Sequence, residues 1–166
     1  MSIKSRVMLL LPLVLCLSII TACSNDSYKE EISKQKESTK LKSGNFLLQV
    51  KTPKEVKIGE KFELEGSIKY IGEKDTYLLH GSKDIHFVIT NEHGQNIKDI
   101  AYAGVGVETK VKTGDIISEK EGFKLNKKGT YNIAINTSFH ESLSGKLKDR
   151  KRIQMKILGL QFIAKK

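Results

Sequence analysis

Large apolar residues fall on every second position in several short runs between Asn45 and Lys166. The clearest run is Phe62, Leu64, Gly66, Ile68 and Tyr70, whose neighbours Lys61, Glu63, Glu65, Ser67 and Lys69 are all polar. A period of two with one apolar and one polar face predicts a strand half-buried in a sheet. Phe46, Leu48 and Val50 repeat the pattern, as do Ile85, Phe87 and Ile89, and again Tyr131, Ile133 and Ile135. Val56 and Ile58 follow Pro53 and run into a Gly59-Glu60 turn. Phe123 and Leu125 lead to the turn around Gly129, and Ile153 to Ile163 reads as a long last strand or a bent pair. Two stretches are less regular. Ala101–Val111 contains Gly104 and Gly106, which weaken a strand, and Ile116 reads as part of the connection after Gly114. No window past residue 23 keeps a helical period. About seven to nine short strands with turn residues between them predict an all-β, antiparallel β-sandwich over residues 45–166. A domain of about 120 residues buries some two-thirds of its chain surface, enough for one core.

The amino-terminal residues follow a different pattern. Lys4 and Arg6 precede the apolar run Val7–Ile20, which Pro12 interrupts. The run falls short of the roughly 20 residues that a spanning helix needs. A basic start with a short apolar run is the layout of a secretory leader. Ile20-Thr21-Ala22-Cys23 then resembles the lipobox of bacterial lipoproteins. That resemblance implies a leader over residues 1–22, cleaved before Cys23, with a diacylglycerol on the Cys23 sulfur. It also implies residence at the outer face of the cell membrane, with the membrane itself as a partner through the acyl chains. Buried acyl chains contribute about 0.8 kcal/mol per methylene, so two or three hold a protein firmly to a bilayer. The alternative is an uncleaved anchor helix that happens to contain a Cys. Cys16 lies in the leader, so Cys23 would be the only cysteine left, and the fold must hold without disulfides.

Residues 23–44 follow as the lipidated end and a spacer. Tyr28, Ile32 and Leu41 are the only large apolar side chains after Cys23, and the charges nearly balance. Such a composition predicts a disordered tether with an r.m.s. reach of about 25 Å.

The formal net charge is +10. Lys4 and Arg6 leave with the leader, so the remaining chain carries that value less two, or +8. The densest cluster is Lys146, Lys148, Arg150, Lys151 and Arg152, placed by the strand pattern at a hairpin tip spanning Ser142–Lys151. A basic tip suits contact with anionic lipid headgroups, a cell-envelope polyanion or an acidic protein. The alternative is a solvated, lysine-rich surface. No aromatic residues interleave with these cations, which argues against nucleic acid.

Little else points to chemistry. His80, His86, His93 and His140 lack the short fixed spacings of a zinc or copper site, and Gly81-Ser82 breaks any strand that would align His80 with His86. Metal or small-ligand binding through these histidines is nonetheless an alternative function. Gly104-Val105-Gly106 lacks the remaining residues of a phosphate loop, and no Gly-x-Ser-x-Gly elbow occurs. The carboxylates are scattered among lysines. The expectation is a non-catalytic binding or accessory module with no cofactor and no metal.

Two further resemblances bear on the fold. Leu125-x-x-x-Gly129-x-Tyr131 resembles the tyrosine corner of immunoglobulin-like domains, which implies that the Tyr131 hydroxyl bonds back to nearby backbone. Pro53-x-x-Val56-x-x-Gly59-Glu60-x-Phe62-x-Leu64 looks like the opening of bacterial immunoglobulin-like modules. The stretch Gly81–Ile97, with Lys112–Asp115 and Gly129–Tyr131, is similar to the intracellular proteinase inhibitor family of bacilli. That similarity implies the same sandwich shape and gives surface proteinase inhibition as another alternative function. The chain has no Trp, where it departs from that family.

Overall fold

A computed structural model describes residues 36–97 and 106–166. The leader, Cys23, the spacer as far as residue 35, and Gly104 lie outside the described residues. Ten strands are present among them: β1 (Lys36–Ser43), β2 (Phe46–Pro53), β3 (Glu55–Lys57), β4 (Lys61–Tyr70), β5 (Thr76–His80), β6 (Ile85–Thr90), β7 (Val107–Val111), β8 (Ile116–Lys124), β9 (Gly129–Ser142) and β10 (Lys151–Lys165). One sheet has the order β1-β2-β4-β8. The other has the order β3-β10-β9-β5-β7, with β6 also paired to β9. The alternating apolar positions of both sheets face each other and close a single core, giving an immunoglobulin-like β-sandwich. Phe46, Leu48, Leu64, Ile85, Ile133 and Ile135 are all buried, as their period of two requires.

Several details differ from the sequence reading. Of the span 23–44 expected to be a disordered tether, residues 36–43 instead form β1. β1 pairs antiparallel with β2 along its whole length, from Lys36↔Pro53 to Ser43↔Phe46. An edge strand is held by backbone hydrogen bonds on one side and needs no apolar face, so composition hides it. Leu41 alone packs on the core, while Lys36 reaches Glu65 at 3.3 Å. The lysines along β1 also suit an edge that must not recruit another chain. The sandwich is antiparallel except at β3, which runs parallel to the end of β10. Ile116 opens β8 and is not part of a connection, since its backbone pairs with Lys69 while its side chain is exposed. The last apolar run is one strand, β10, with a register shift between Ile157 and Leu160. Gly159 takes a φ of 77° there, which leaves Leu158 exposed.

The registers define two poles. The β1–β2 turn, the end of β4, the β7–β8 turn and the β9–β10 tip lie together at one pole; Tyr70 and Asp115, for example, share a backbone bond of 3.0 Å. The other pole, the base, gathers the start of β1, the β2–β3–β4 turns, the β8–β9 connection and the end of β10. Backbone bonds stitch this base: Ile58 N–H donates to Lys165 O at 2.9 Å, and Gly59 N–H donates to Leu125 O at 2.7 Å. Aromatic rings fill the core beneath each pole. Phe46 packs on Tyr70 and Phe139 at one end, and Phe62 packs on Phe123 and Phe162 at the other. The Tyr131 hydroxyl donates to Lys127 O at 2.9 Å, so the tyrosine-corner geometry is present.

Gly66 marks the closest approach of the two sheets. A Cβ there would lie 2.9 Å from Ile85 Cγ2 and 3.1 Å from Phe87 Cζ. Gly66→Ala is therefore expected to destabilise the fold by about 1–3 kcal/mol through overpacking, as measured by urea unfolding. An unchanged midpoint would show that the sheets separate freely at this point.

Candidate functional site

The β9–β10 tip is the site that the basic cluster predicts. Ser142 is buried at the end of β9, and its carbonyl accepts the Thr76 hydroxyl at 3.1 Å. Asp149 then ties the tip together. Its carboxylate accepts the Ser142 hydroxyl at 2.5 Å and the Ser144 N–H at 3.2 Å, and it also accepts the Ser144 hydroxyl. The Ser142 and Ser144 hydroxyls hold the Asp149 carboxyl below its ordinary range, so it stays ionised. A single 3₁₀ turn, Leu147–Asp149, follows Gly145 at φ 72°. The result is an ordered, projecting loop.

The five predicted cations divide there. Arg150 is paired with Glu108 of β7 at 3.2 Å, and Arg152 donates from Nε to Ser138 at 3.2 Å. These two brace the tip against its own sheet. Lys146, Lys148 and Lys151 are exposed and have no ion-pair partner among the described residues. Beside them stand Leu143 and Leu147, 64% and 77% exposed. Sequence reasoning passed over these leucines because two isolated apolar residues in a loop have no period. The exposed tip thus offers three mobile-headed ammonium groups around two apolar side chains.

The histidines do not converge. His80 Nδ1 lies 2.9 Å from Asp84 Oδ2, and its Nε2 lies 2.9 Å from Thr109 Oγ1, so both ring nitrogens are engaged by the protein. His93 sits beside Glu92 on an exposed turn. Among the described residues no three His, Cys, Asp or Glu side chains come together as a metal group. The break between β5 and β6 instead makes a polar seam along one side of the sandwich. Lys83 crosses it to the buried Glu121 of β8 at 3.2 Å. Asp84 is buried within it, and its Oδ1 has no hydrogen-bond partner.

A third feature lies at the base, where an open groove of about 710 Å³ is lined by Lys36, Val56, Lys57, Lys61 and Phe62, among others. Sequence reasoning did not find it, because its residues come from distant segments. No helix among the described residues is long and apolar enough to cross a membrane.

Comparison with known proteins returns no matching family model and no curated relative. Among solved structures, the chain is similar to an ASH/PapD-like domain of human CEP192, with a TM-score of 0.35 at 12% identity, covering 72% of this chain and 87% of that one. It is also similar to a structural-genomics target, SoR45, with a TM-score of 0.33 at 12% identity, covering 74% of this chain and 81% of that one.

The seam makes a pH-dependent prediction. Burial raises the Asp84 carboxyl above its ordinary range, opposed first by His80, and Glu119 adds to the rise. A raised carboxyl favours the fold below its ordinary range and loses that contribution as pH rises through the folded-state value. The melting temperature of the wild type relative to Asp84→Asn is therefore expected to fall as pH rises from about 4 across the range where the folded-state carboxyl ionises. A difference that is flat across this range would show that Asp84 is not held above its ordinary range.

Proposed function

We infer that this chain is a lipid-anchored, extracytoplasmic, non-catalytic binding module that contacts a cell-envelope polyanion or protein through its β9–β10 tip. The observation that carries the reading is polar geometry. The chain enters the sandwich at Lys36, at the base, while Lys146, Lys148 and Lys151 project from the opposite pole. Acylation at Cys23 would leave twelve residues between the anchored Cys23 and Lys36. A domain leashed at its base holds its far pole toward the envelope and away from the lipid. Loops at one end of a rigid sandwich are also where such domains carry recognition. Ammonium groups beside exposed leucines suit a partner that is anionic and partly apolar. No observation favours metal binding through His80, His86 or His93, or proteinase inhibition, over this reading.

Two measurements test it. The wild type is expected in the membrane fraction, and Cys23→Ala is expected either in the soluble fraction or retained at full length with its leader uncut. Wild-type protein in the cytosol with Met1 intact would overturn the reading. Replacing Lys146, Lys148 and Lys151 together by Gln is expected to weaken binding to polyglycerol phosphate by roughly 3- to 100-fold, in line with about 0.2–1 kcal/mol for each exposed ion pair. Binding that is undiminished by the triple substitution would remove the tip from the site.

A further inference from the structure

The base collects more unbalanced positive charge than the tip, and no single stretch of sequence displays it. The turns on either side of β3 contribute Lys54, Lys57 and Lys61. The β8–β9 connection contributes Lys124, Lys127 and Lys128, and the end of β10 contributes Lys165 and Lys166. The acids of these segments are Glu55 and Glu60, and Glu55 is already paired with Lys165. The tip-pole segments carry a comparable number of cations, but Glu73, Asp75, Asp115 and Asp149 stand among them.

Three backbone contacts show that the basic segments share one surface. Lys54 O accepts from Ile163 N–H at 3.0 Å, Lys165 O from Ile58 N–H at 2.9 Å, and Leu125 O from Gly59 N–H at 2.7 Å. Beneath them Tyr131 stacks on Phe162 with centroids 5.6 Å apart, and Phe162 packs on Phe62 at 5.4 Å. The lysines therefore stand on a rigid floor. Lys54, Lys61, Lys124, Lys127 and Lys128 are exposed and have no ion-pair partner among the described residues.

This surface is also where the chain enters the domain, since Lys36 opposes Pro53. The geometry points to the base as a docking face for an anionic lipid surface. Each lysine that reaches such a surface contributes to adhesion, and the effect fades beyond a Debye length of about 10 Å. The twelve residues between Cys23 and Lys36 span at most about 45 Å when fully extended. The 15 residues of β10 put the tip roughly 50 Å from the base at about 3.3 Å per residue. An anchor at Cys23 thus brings the base to the headgroups first, and the tip meets them only when the domain lies on its side. Docked in this way, the domain stands upright on the membrane with its tip outward. The inference uses the Cys23 reading only to bring the base to a bilayer.

The test separates the two. Every buried apolar side chain among the described residues lies between Phe46 and Ala164, and all ten described strands lie within residues 36–166, so this fragment carries the whole described core without the anchor. This fragment is mixed with vesicles of phosphatidylcholine, with and without about one part in three phosphatidylglycerol. It is expected to co-sediment with the anionic vesicles alone and to be released by about 0.5 M salt. Replacing Lys61, Lys124, Lys127 and Lys128 by Gln is expected to lower partitioning by more than about a hundredfold, near fivefold for each lysine. The same replacement at Lys146, Lys148 and Lys151 is expected to change it by less than about threefold, with both variants keeping the wild-type circular dichroism. No binding to anionic vesicles, or equal losses from the two variants, would overturn the inference. So would a base that binds polyglycerol phosphate in solution and ignores the vesicles. None of these results bears on whether Cys23 is acylated.

Discussion

The architecture depends on the pairing of β9 and β10. This hairpin runs from Lys151↔Glu141 beside the tip to Ala164↔Gly129 at the base, so it spans the sandwich from pole to pole. β9 holds β10 on one side and both β5 and β6 on the other, which makes it the central strand of its sheet. Its inward residues Tyr131, Ile133, Ile135 and Phe139 are buried. A slip of one residue would turn all of them to solvent, so burial fixes the register strongly. The bulge at Gly159 lets β10 remain paired on both sides of the shift. From that register follow the positions of the loop after Ser142 and of the lysines around Gly129.

The polar chemistry of the domain is arranged around this apolar belt. The side seam places Lys83, Asp84 and Glu121 where β5 gives way to β6, and there the charges serve the protein itself. Arg150 and Arg152 do likewise at the tip, since Glu108 and Ser138 occupy them. Among the described residues, exposed lysines without an ion-pair partner stand at both ends, Lys146, Lys148 and Lys151 at the tip and Lys54, Lys61, Lys124, Lys127 and Lys128 at the base. Paired charges rigidify these ends, while unpaired ammonium groups keep their solvation and are available to a partner. Sandwich folds host many functions, so the assignment rests on these ends and not on the sheets.

In the arrangement proposed above, the ends also divide the labour of a leashed domain. Cations close to the point where the chain enters act on whatever surface the leash approaches. Cations at the far end act on what lies beyond. The base cluster is the larger, and the distances of the two from Lys36 differ by the full length of the sandwich. This asymmetry arises because β9, like β1, runs from the base toward the tip, which no local composition records.

The alternation of apolar and polar residues by itself determined the all-β class, most strand positions and the buried set, because a period of two leaves one face with no stable place except a core. Tyr131 and its bond to Lys127 were equally legible, since a glycine turn and a tyrosine two residues on form a local unit. The tertiary structure decided what depends on neighbours distant in sequence. β1 exists because β2 offers it a backbone partner, and the count of strands rose with it. Lys146 and Lys148 were visible as a cluster, but only the registers placed them opposite Lys36. Lys61, Lys124 and Lys127 became one surface only when β3 turned back beside β10 and the β8–β9 connection closed over it, because charge at a pole adds across space and not along the chain.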